Sequence, residues 1–191
     1  MAVGYILYNE KAGSKKSRES VELLEVVVDS QVKYLDVTEI TNYRTFLSGL
    51  DEDDFIMLAG GDGTLNCFIN NIAGIEFNNE VYYYPNGTGN DFAHDLGYSK
   101  ECNPFPITEY IHDLPSVTVN GKTYRFINGV GYGIDGYCCE VGDGLKKVPG
   151  KKVNYASIAI KGLLFHYKPT NAKVTVDGKE LTYKKSGLLL R

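Results

Sequence analysis

Several features that would place this chain in a common class are missing from its sequence. No apolar run approaches the roughly 18 residues that a membrane-spanning helix requires. The N-terminal stretch MAVGYILYNE lacks the basic region and long apolar segment of a signal peptide. The cysteines form no CxxC pair, and the three histidines are scattered, so no zinc site is indicated. These absences predict a reduced, cytoplasmic setting. The four cysteines are Cys67, Cys102, Cys138 and Cys139.

Excess positive charge is also missing, since the formal net charge is −4, which argues against nucleic acid as a partner. The charge is uneven along the chain. Residues 1–143 carry 9 Lys and Arg against 22 Asp and Glu, whereas residues 144–191 carry 11 against 2. The basic part is either a solvated surface or a surface that binds the anionic inner face of a membrane. In the second case, each well-placed basic residue would contribute about 1 kcal/mol to the binding free energy. Its lysines include Lys146, Lys147, Lys151, Lys152, Lys161 and Lys168.

What the chain does have is a glycine-rich junction, DFIMLAGGDGTLN, at Asp54–Asn66. The apolar run from Phe55 to Ala59 predicts a buried parallel strand, and Thr64 opens a segment with helical apolar spacing. Between them, glycines at 60, 61 and 63 bring backbone N–H groups and a helix N-terminus to one point, which suits an anionic phosphate. The acidic residues 51–54 before the strand are expected to form a solvated loop.

Asp62 lies inside this loop. A carboxylate that faces phosphate groups is unfavourable unless a cation lies between them, so a phosphate ligand at this loop implies Mg²⁺. The alternative is a tight strand-to-helix turn without any ligand.

A second stretch repeats the pattern. Val81–Tyr84 predicts a strand, and PNGTGNDFA follows it, with Thr88 and Asn90 as hydroxyl and amide donors. Loops that follow parallel strands lie at the same edge of a sheet, so we expect the two loops to face one polyphosphate.

The combination of GGDGTLN and PNGTGNDFA resembles the catalytic domain of bacterial diacylglycerol kinases and related lipid kinases. YNEKAG at Tyr8–Gly13 and FINGVGYGIDGY at Phe126–Tyr137 extend the resemblance over most of the chain. GGDGT alone also occurs in NAD kinases, which leaves an enzyme of that kind, with a soluble acceptor, as a further hypothesis. The pairing with GTGNDFA favours the lipid kinases.

The resemblance implies transfer of the ATP γ-phosphoryl group to a lipid hydroxyl, with Mg²⁺, by a cytoplasmic enzyme that meets its lipid acceptor at a membrane. For such a transfer we expect Asp62 to act in catalysis and to bind the metal, with Asp91 as a second metal-binding carboxylate; Asp91 is equally suited to cap the helix that follows it. Asp135, in the glycine-rich stretch at residues 128–136, is either a catalytic carboxylate that reaches a cleft or a turn residue. The two glycine-rich loops are expected to contact the nucleotide at Gly60, Gly61, Asp62, Gly63, Thr64, Leu65, Asn66, Gly87, Thr88 and Asn90. The resemblance implies further nucleotide contacts at Asn9, Gly13 and Thr38.

The predicted fold is α/β. Alternating strands and helices up to about residue 115, with a first helix at Ser14–Asp29, predict a doubly wound, mostly parallel sheet. Hairpin signatures at Asn120-Gly121 and Asp177-Gly178 flank a predicted helix at Val153–Tyr167. We therefore predict a nucleotide-binding domain at 1–115 and, at 116–191, part of an all-β second domain with a helical insertion. The resemblance places the lipid between the two domains.

One catalytic residue of the resembled family has no counterpart in this sequence. Family members carry a catalytic glutamate late in the second domain. Glu180 lies in an earlier hairpin, so we do not assign the role of that glutamate to Glu180. The end of the sequence, YKKSGLLLR, also suggests an incomplete domain whose open strand edges favour self-association. Two main hypotheses therefore stand, namely an active lipid kinase and a nucleotide-binding remnant without turnover.

Overall fold

The computed structural model describes residues 2–10, 21–22, 24, 30–99, 102–131, 133–146, 148, 150, 153–166, 168, 170–176, 178–186 and 189–190. The described chain divides into two compact units, residues 1–128 and 129–191. Most of the helix predicted at 14–29 lies outside the described residues, as does Gly13.

A five-stranded sheet forms the first unit. Its strands are β1 (Val3–Tyr8), β2 (Gln31–Asp36), β3 (Phe55–Gly60), β4 (Val81–Pro85) and β5 (Phe105–Pro106), in the order β2-β1-β3-β4-β5. The first four strands are parallel, and β5 runs antiparallel along the edge beside β4. The predicted mostly parallel α/β sheet is therefore confirmed.

Short helices connect these strands. They are α1 (Tyr43–Ser48), α2 (Asp62–Asn71), α3 (Asp91–Asp95) and α4 (Thr108–His112). The larger core cluster joins Leu58 and Tyr83 of the sheet to Leu65 and Phe68 of α2 and to Phe92 of α3. A smaller cluster, with Ile6, Met57 and Val21 among its members, forms around the alternate strand positions. Alternate residues of β1 and β3 thus point to opposite faces of the sheet, and apolar side chains cover both faces, as a doubly wound sheet requires.

A hairpin completes the first unit, with β6 at Ser116–Val119 and β7 at Lys122–Arg125. The turn residues Asn120 and Gly121 have φ values of 51° and 78°, the positive angles of a two-residue type I′ turn. The predicted hairpin is confirmed. Asn70 of α2 holds it in place, because its Oδ1 accepts the Arg125 N–H at 2.9 Å and its Nδ2 donates to the Arg125 carbonyl at 3.0 Å.

The second unit combines helices with antiparallel strand pairs. Its helical part is α5 (Ile134–Lys146), α6 (Tyr155–Lys161) and a π-helical turn at Gly162–His166. Strands β9 (Thr170–Val176) and β10 (Lys179–Ser186) form the second predicted hairpin, with Gly178 at φ 74°. Strand β11 (Leu189–Leu190) pairs with β8 (Val130–Gly131).

Helix α5 was not predicted, since its sequence IDGYCCEVGDGLK contains three glycines, which have low helix propensity. The helix packs closely on α6: a methyl group on Gly142 would lie 2.5 Å from the Tyr155 ring. A residue with low intrinsic helix propensity is therefore tolerated because it permits this close packing. The helix predicted at 153–167 is shorter and ends in the π-helical turn. The domain boundary predicted between residues 115 and 116 stays a prediction. The two compact units of the structure meet between residues 128 and 129.

The acidic stretch before β3 is only partly the solvated loop that we expected. Asp51, Glu52 and Asp53 are exposed, but Asp54 is buried. Its two carboxylate oxygens accept the N–H groups of Val3 at 2.8 Å and Asp51 at 3.0 Å. Asp54 thereby ties the start of β1 to the start of β3.

We expect Asp54→Ala to lower the free energy of unfolding by about 2 kcal/mol, because two partly buried N–H groups lose a charged acceptor. Asp53→Ala is the matched control and is expected to change it by less than about 0.5 kcal/mol, since Asp53 is exposed. Urea unfolding followed by circular dichroism measures both values. Equal effects at the two positions would contradict the structural role of Asp54.

Candidate functional site

The carboxyl ends of the four parallel strands gather most of the predicted site residues at one edge of the sheet. Asn9 follows β1, Thr38 follows β2, and the two glycine-rich loops follow β3 and β4. The Val37 N–H donates to the Tyr8 carbonyl at 2.8 Å, and the Thr38 N–H donates to the Asp36 carboxylate at 2.8 Å. The exposed Thr38 is thus fixed beside the end of β1.

The first loop places the N-terminus of α2 at this edge. Gly61 is the N-cap residue in an extended conformation, and no side chain caps the helix there. The Gly61 carbonyl accepts the N–H groups of Thr64 at 2.9 Å and Leu65 at 3.1 Å. The helix therefore begins at Asp62, two residues before the predicted start. An uncapped N-terminus of a ten-residue helix offers N–H donors and a positive dipole end to an anion.

The two glycine-rich loops touch through their backbones. The Asn86 N–H donates to the Gly60 carbonyl at 2.9 Å, which extends the β3–β4 pairing into the loops. A methyl group built on Gly87 would lie 2.5 Å from the Gly61 Cα. At these two glycine positions the neighbouring loop itself occupies the space that a side chain would need.

Tyr83 supports the first loop from within the core. Its fully buried hydroxyl donates to the Gly60 carbonyl at 3.0 Å. Burial, and to a lesser extent the Asp62 carboxylate and Cys102, raise the pKa of Tyr83 well above its usual range. The hydroxyl therefore stays protonated and keeps donating to Gly60.

Asp62 connects the two loops. Its Oδ1 accepts the N–H of Phe92, in the first turn of α3, at 3.0 Å. Its Oδ2 faces Gly89, since a methyl group on that residue would lie 3.5 Å from Asp62 Oδ2 and 3.6 Å from Asp91 Oδ1. Two carboxylates thus flank one glycine. This donor set fits Mg²⁺, which typically binds to one or two carboxylates and completes its coordination with water and phosphate oxygens.

Asn90 holds the second loop in its shape. It is almost fully buried and adopts a left-handed backbone conformation with φ 58°. Its Oδ1 accepts the Gly87 N–H at 2.9 Å, and its Nδ2 donates to the Gly87 carbonyl at 3.2 Å. The side chain predicted to donate to a nucleotide is therefore used within the loop, and a role of Asn90 in nucleotide binding would be indirect.

The other predicted site residues differ in accessibility. Gly63, Asn66 and Thr88 are exposed, whereas Leu65 is buried in the core and offers only its backbone. The Thr64 hydroxyl is buried against Gly60 and finds no hydrogen-bond partner within the described part of the chain.

Asp135 belongs to the second unit, in the first turn of α5, and its Cβ lies beside Gly131. Its predicted catalytic role stays a prediction.

Among the described residues, no group of three or more His, Cys, Asp or Glu side chains forms a ready-made metal centre. Where the chain is described, every helix is too short or too polar to cross a bilayer.

Sequence reasoning missed the residues that hold the site together. Tyr83 was assigned only to a strand, although its place among the alternately buried positions Val81, Tyr83 and Pro85 marks it as inward-facing. The contact between Asp62 and the Phe92 N–H joins residues 30 positions apart and has no sequence signal.

Comparison with known proteins finds a matching family model and similar proteins. The family model described as "Diacylglycerol kinase catalytic domain" matches residues 4–118. A Staphylococcus haemolyticus protein named "Putative lipid kinase" is 27% identical over 98% of this chain and 64% of its own length. A Staphylococcus aureus (strain MRSA252) protein with the same description is 26% identical over 92% of this chain and 61% of its own length.

Solved structures show the same fold. A diacylglycerol kinase from Bacillus anthracis str. Sterne is 24% identical and has a TM-score of 0.56; the match covers 95% of this chain and 61% of that one. A second structure from that strain, titled "A putative diacylglycerol kinase", has a TM-score of 0.58 at 22% identity. That match covers 95% of this chain and 63% of the other chain. The chain thus spans a little over three-fifths of the length of these relatives.

Proposed function

Because this chain belongs to the diacylglycerol kinase catalytic domain family, we propose that its two glycine-rich loops bind ATP and present the γ-phosphoryl group to the hydroxyl of a lipid of the diacylglycerol type. The proposal places the chain in the cytoplasm, working at a membrane surface that carries its acceptor.

The observation that carries this proposal is the backbone contact between the loops at Gly61 and Gly87. It brings the uncapped N-terminus of α2 and the exposed Thr88 to one edge of the sheet. Phosphoryl transfer depends mainly on fixing the phosphates and balancing their charge, with little covalent chemistry by the protein. Two loops that are in contact through their backbones provide such a frame.

Asp62 and Asp91 are the residues that would hold Mg²⁺. When bound, the ion would neutralise charge on the phosphates during transfer. The protein supplies the fixed position of Asp62, because the Phe92 N–H orients one carboxylate oxygen and leaves Oδ2 directed toward Gly89. Asp135 is the first candidate to accept the proton of the lipid hydroxyl.

Labelled phosphate transfer from Mg-ATP to a panel of hydroxyl lipids in mixed micelles tests the proposal. Transfer by the chain that is lost in Asp62→Ala would support a kinase that needs no residues beyond these 191. Asp135→Asn would then show whether Asp135 takes part, because a neutral amide of the same shape cannot accept the proton.

Two other outcomes distinguish the remaining hypotheses. Nucleotide binding by folded protein without transfer to any lipid would favour a nucleotide-binding module. Phosphorylation of NAD with no lipid product would favour an enzyme like the NAD kinases. Light scattering over a range of concentrations tests the predicted self-association through strand edges, which would appear as a mass above that of one chain.

A further inference from the structure

The buried side chain of Tyr83 contacts the first glycine-rich loop and the helix that follows the second. Its hydroxyl donates to the Gly60 carbonyl at 3.0 Å, where the first loop begins. Its ring packs edge-on against Phe92 of α3 at a centroid distance of 6.0 Å. The Phe92 N–H in turn orients the Asp62 carboxylate. The position of Tyr83 is therefore linked both to a carbonyl of the first loop and to the carboxylate expected to bind Mg²⁺.

The Tyr83 ring is enclosed by the core of the first unit. It is fully buried, and Phe105 of β5 packs edge-on against it at a centroid distance of 5.8 Å. Leu58 lies opposite Tyr83 in the pairing of β3 with β4 and is also fully buried. A ring enclosed in this way has little room to rotate, because protein interiors are closely packed. The hydroxyl is therefore fixed relative to the sheet.

The Gly60 carbonyl accepts two hydrogen bonds. One comes from the Tyr83 hydroxyl, and the other comes from the Asn86 N–H at 2.9 Å. A carbonyl oxygen has two lone pairs, so both are used on the β4 side of the loop. This direction matters in a phosphate site, since a carbonyl oxygen that turned toward a phosphate would repel it.

The direction of this carbonyl also fixes the direction of the next N–H group. The peptide bond between Gly60 and Gly61 is trans, and the C=O and N–H of a trans peptide point in opposite directions. Because the carbonyl is held toward β4, the Gly61 N–H is directed to the other side of β3, where β1 ends and Asn9 follows. This N–H lies at the uncapped start of the ten-residue helix α2, where an anion is favoured.

The two donors to the Gly60 carbonyl differ in what holds them. The Asn86 N–H belongs to the second loop, which itself has to accommodate a ligand. The Tyr83 hydroxyl is attached to a ring that the core encloses. Without this hydroxyl, the Gly60 carbonyl would be restrained only by its bond to Asn86, and the peptide between Gly60 and Gly61 would be freer to turn.

We propose that Tyr83 is a positioning residue of the phosphate site, whose hydroxyl holds the Gly60 carbonyl toward the core and thereby directs the Gly61 N–H to the polyphosphate of a bound nucleotide. Tyr83 is fully buried, so it acts through the loop and not by touching the nucleotide. This inference rests on the proposed function, since it explains how a loop that binds ATP is kept in its binding conformation.

Tyr83→Phe tests the proposal, because it removes the hydroxyl and keeps the ring. Competition against a fluorescent ATP analogue in the presence of Mg²⁺ compares ATP, tripolyphosphate and adenosine. The affinities for ATP and tripolyphosphate are expected to fall about fivefold to tenfold, the equivalent of one hydrogen bond. The affinity for adenosine is expected to stay the same, because adenosine has no phosphate. A purely structural role of the hydroxyl would not distinguish these ligands.

Two matched variants separate positioning from stability. Tyr82→Phe removes the hydroxyl of the neighbouring residue in β4, whose ring packs with Phe55 on the other face of the sheet. It is expected to leave all three affinities unchanged. Ile56→Val alters the same core at the opposite end of β3. It is expected to lower the melting temperature about as much as Tyr83→Phe, by about 4 °C, and to leave the affinities unchanged.

Three results would overturn the positioning role. These are unchanged affinity of Tyr83→Phe for tripolyphosphate, an equal loss of affinity for adenosine, and an equal loss for tripolyphosphate in Ile56→Val. In each case the hydroxyl would matter only as part of the core, or not at all.

The same titrations separate this inference from the proposed function. Nucleotide binding that stays normal in Tyr83→Phe would contradict the positioning role alone. A loss of tripolyphosphate affinity in Tyr83→Phe, in a chain that transfers no phosphoryl group to lipid, would support the positioning role and contradict the kinase. Absence of nucleotide binding by the unaltered chain would overturn both.

Discussion

Gly87→Ala is expected to separate the two glycine-rich loops and to cost both stability and nucleotide binding. The new methyl group would lie 2.5 Å from the Gly61 Cα and 2.7 Å from Asn90 Oδ1. Backbone atoms cannot yield as the end of a flexible side chain can, so the loops must move apart. Overpacking of this kind costs about 2 kcal/mol, and a displacement of about 1 Å at a reacting group can slow transfer about a hundredfold.

Gly63→Ala is the matched control for this prediction. Gly63 lies in the first turn of α2, and a methyl group there would meet no atom within 4 Å. Its stability is expected to stay equal or rise by about 0.5 kcal/mol, because alanine is favoured over glycine in a helix. Thermal unfolding compares the two variants. Equal stability of both would show that the contact of Gly61 with Gly87 does not constrain the loops.

Nucleotide binding by the same pair answers a second question. If phosphate must approach the helix N-terminus closely, Gly63→Ala is expected to weaken nucleotide binding while leaving stability intact. Titration with a fluorescent ATP analogue measures this. If Gly63→Ala binds nucleotide normally and Gly87→Ala binds it weakly, glycine is needed for the contact between the loops and not for the approach of phosphate.

Asp62→Asn is expected to abolish most phosphoryl transfer while leaving the fold intact. The amide retains an oxygen that can accept the Phe92 N–H, so the free energy of unfolding should change by less than about 1 kcal/mol. The charge beside Gly89 is lost, and with it the attraction for a divalent cation, so transfer is expected to fall about a hundredfold or more. Micelle assays measure transfer, and nucleotide titrations with and without Mg²⁺ measure the effect of the ion.

Asp62→Ala serves as the comparison, because it removes the acceptor as well as the charge. It is expected to cost about 1 kcal/mol more than Asp62→Asn, the usual value of a helix-capping interaction. If Asp62→Asn keeps both full transfer and its response to Mg²⁺, the carboxylate has only the structural role of holding α3. Asp91→Asn then identifies whether the other carboxylate beside Gly89 binds the ion.

The sequence by itself determined the order of strands and loops and the position of the glycine-rich loops. Phe55–Gly60 reads as a buried strand because it has no polar residue, and Asn120-Gly121 reads as a hairpin turn because both residues tolerate positive φ. These are local properties of backbone and side chain. Parallel pairing then requires that loops after successive strands meet at one edge.

The tertiary structure alone decided which atoms meet there. The strand register that pairs Gly60 with Pro85 aligns the two loops, so that Gly61 contacts Gly87 and the Asp62 carboxylate accepts the Phe92 N–H. Such contacts depend on strand register over about 25 to 30 residues, which no local pattern encodes. Helix α5 was missed for a related reason, since close packing at Gly142, and not intrinsic propensity, is what accommodates glycine in it.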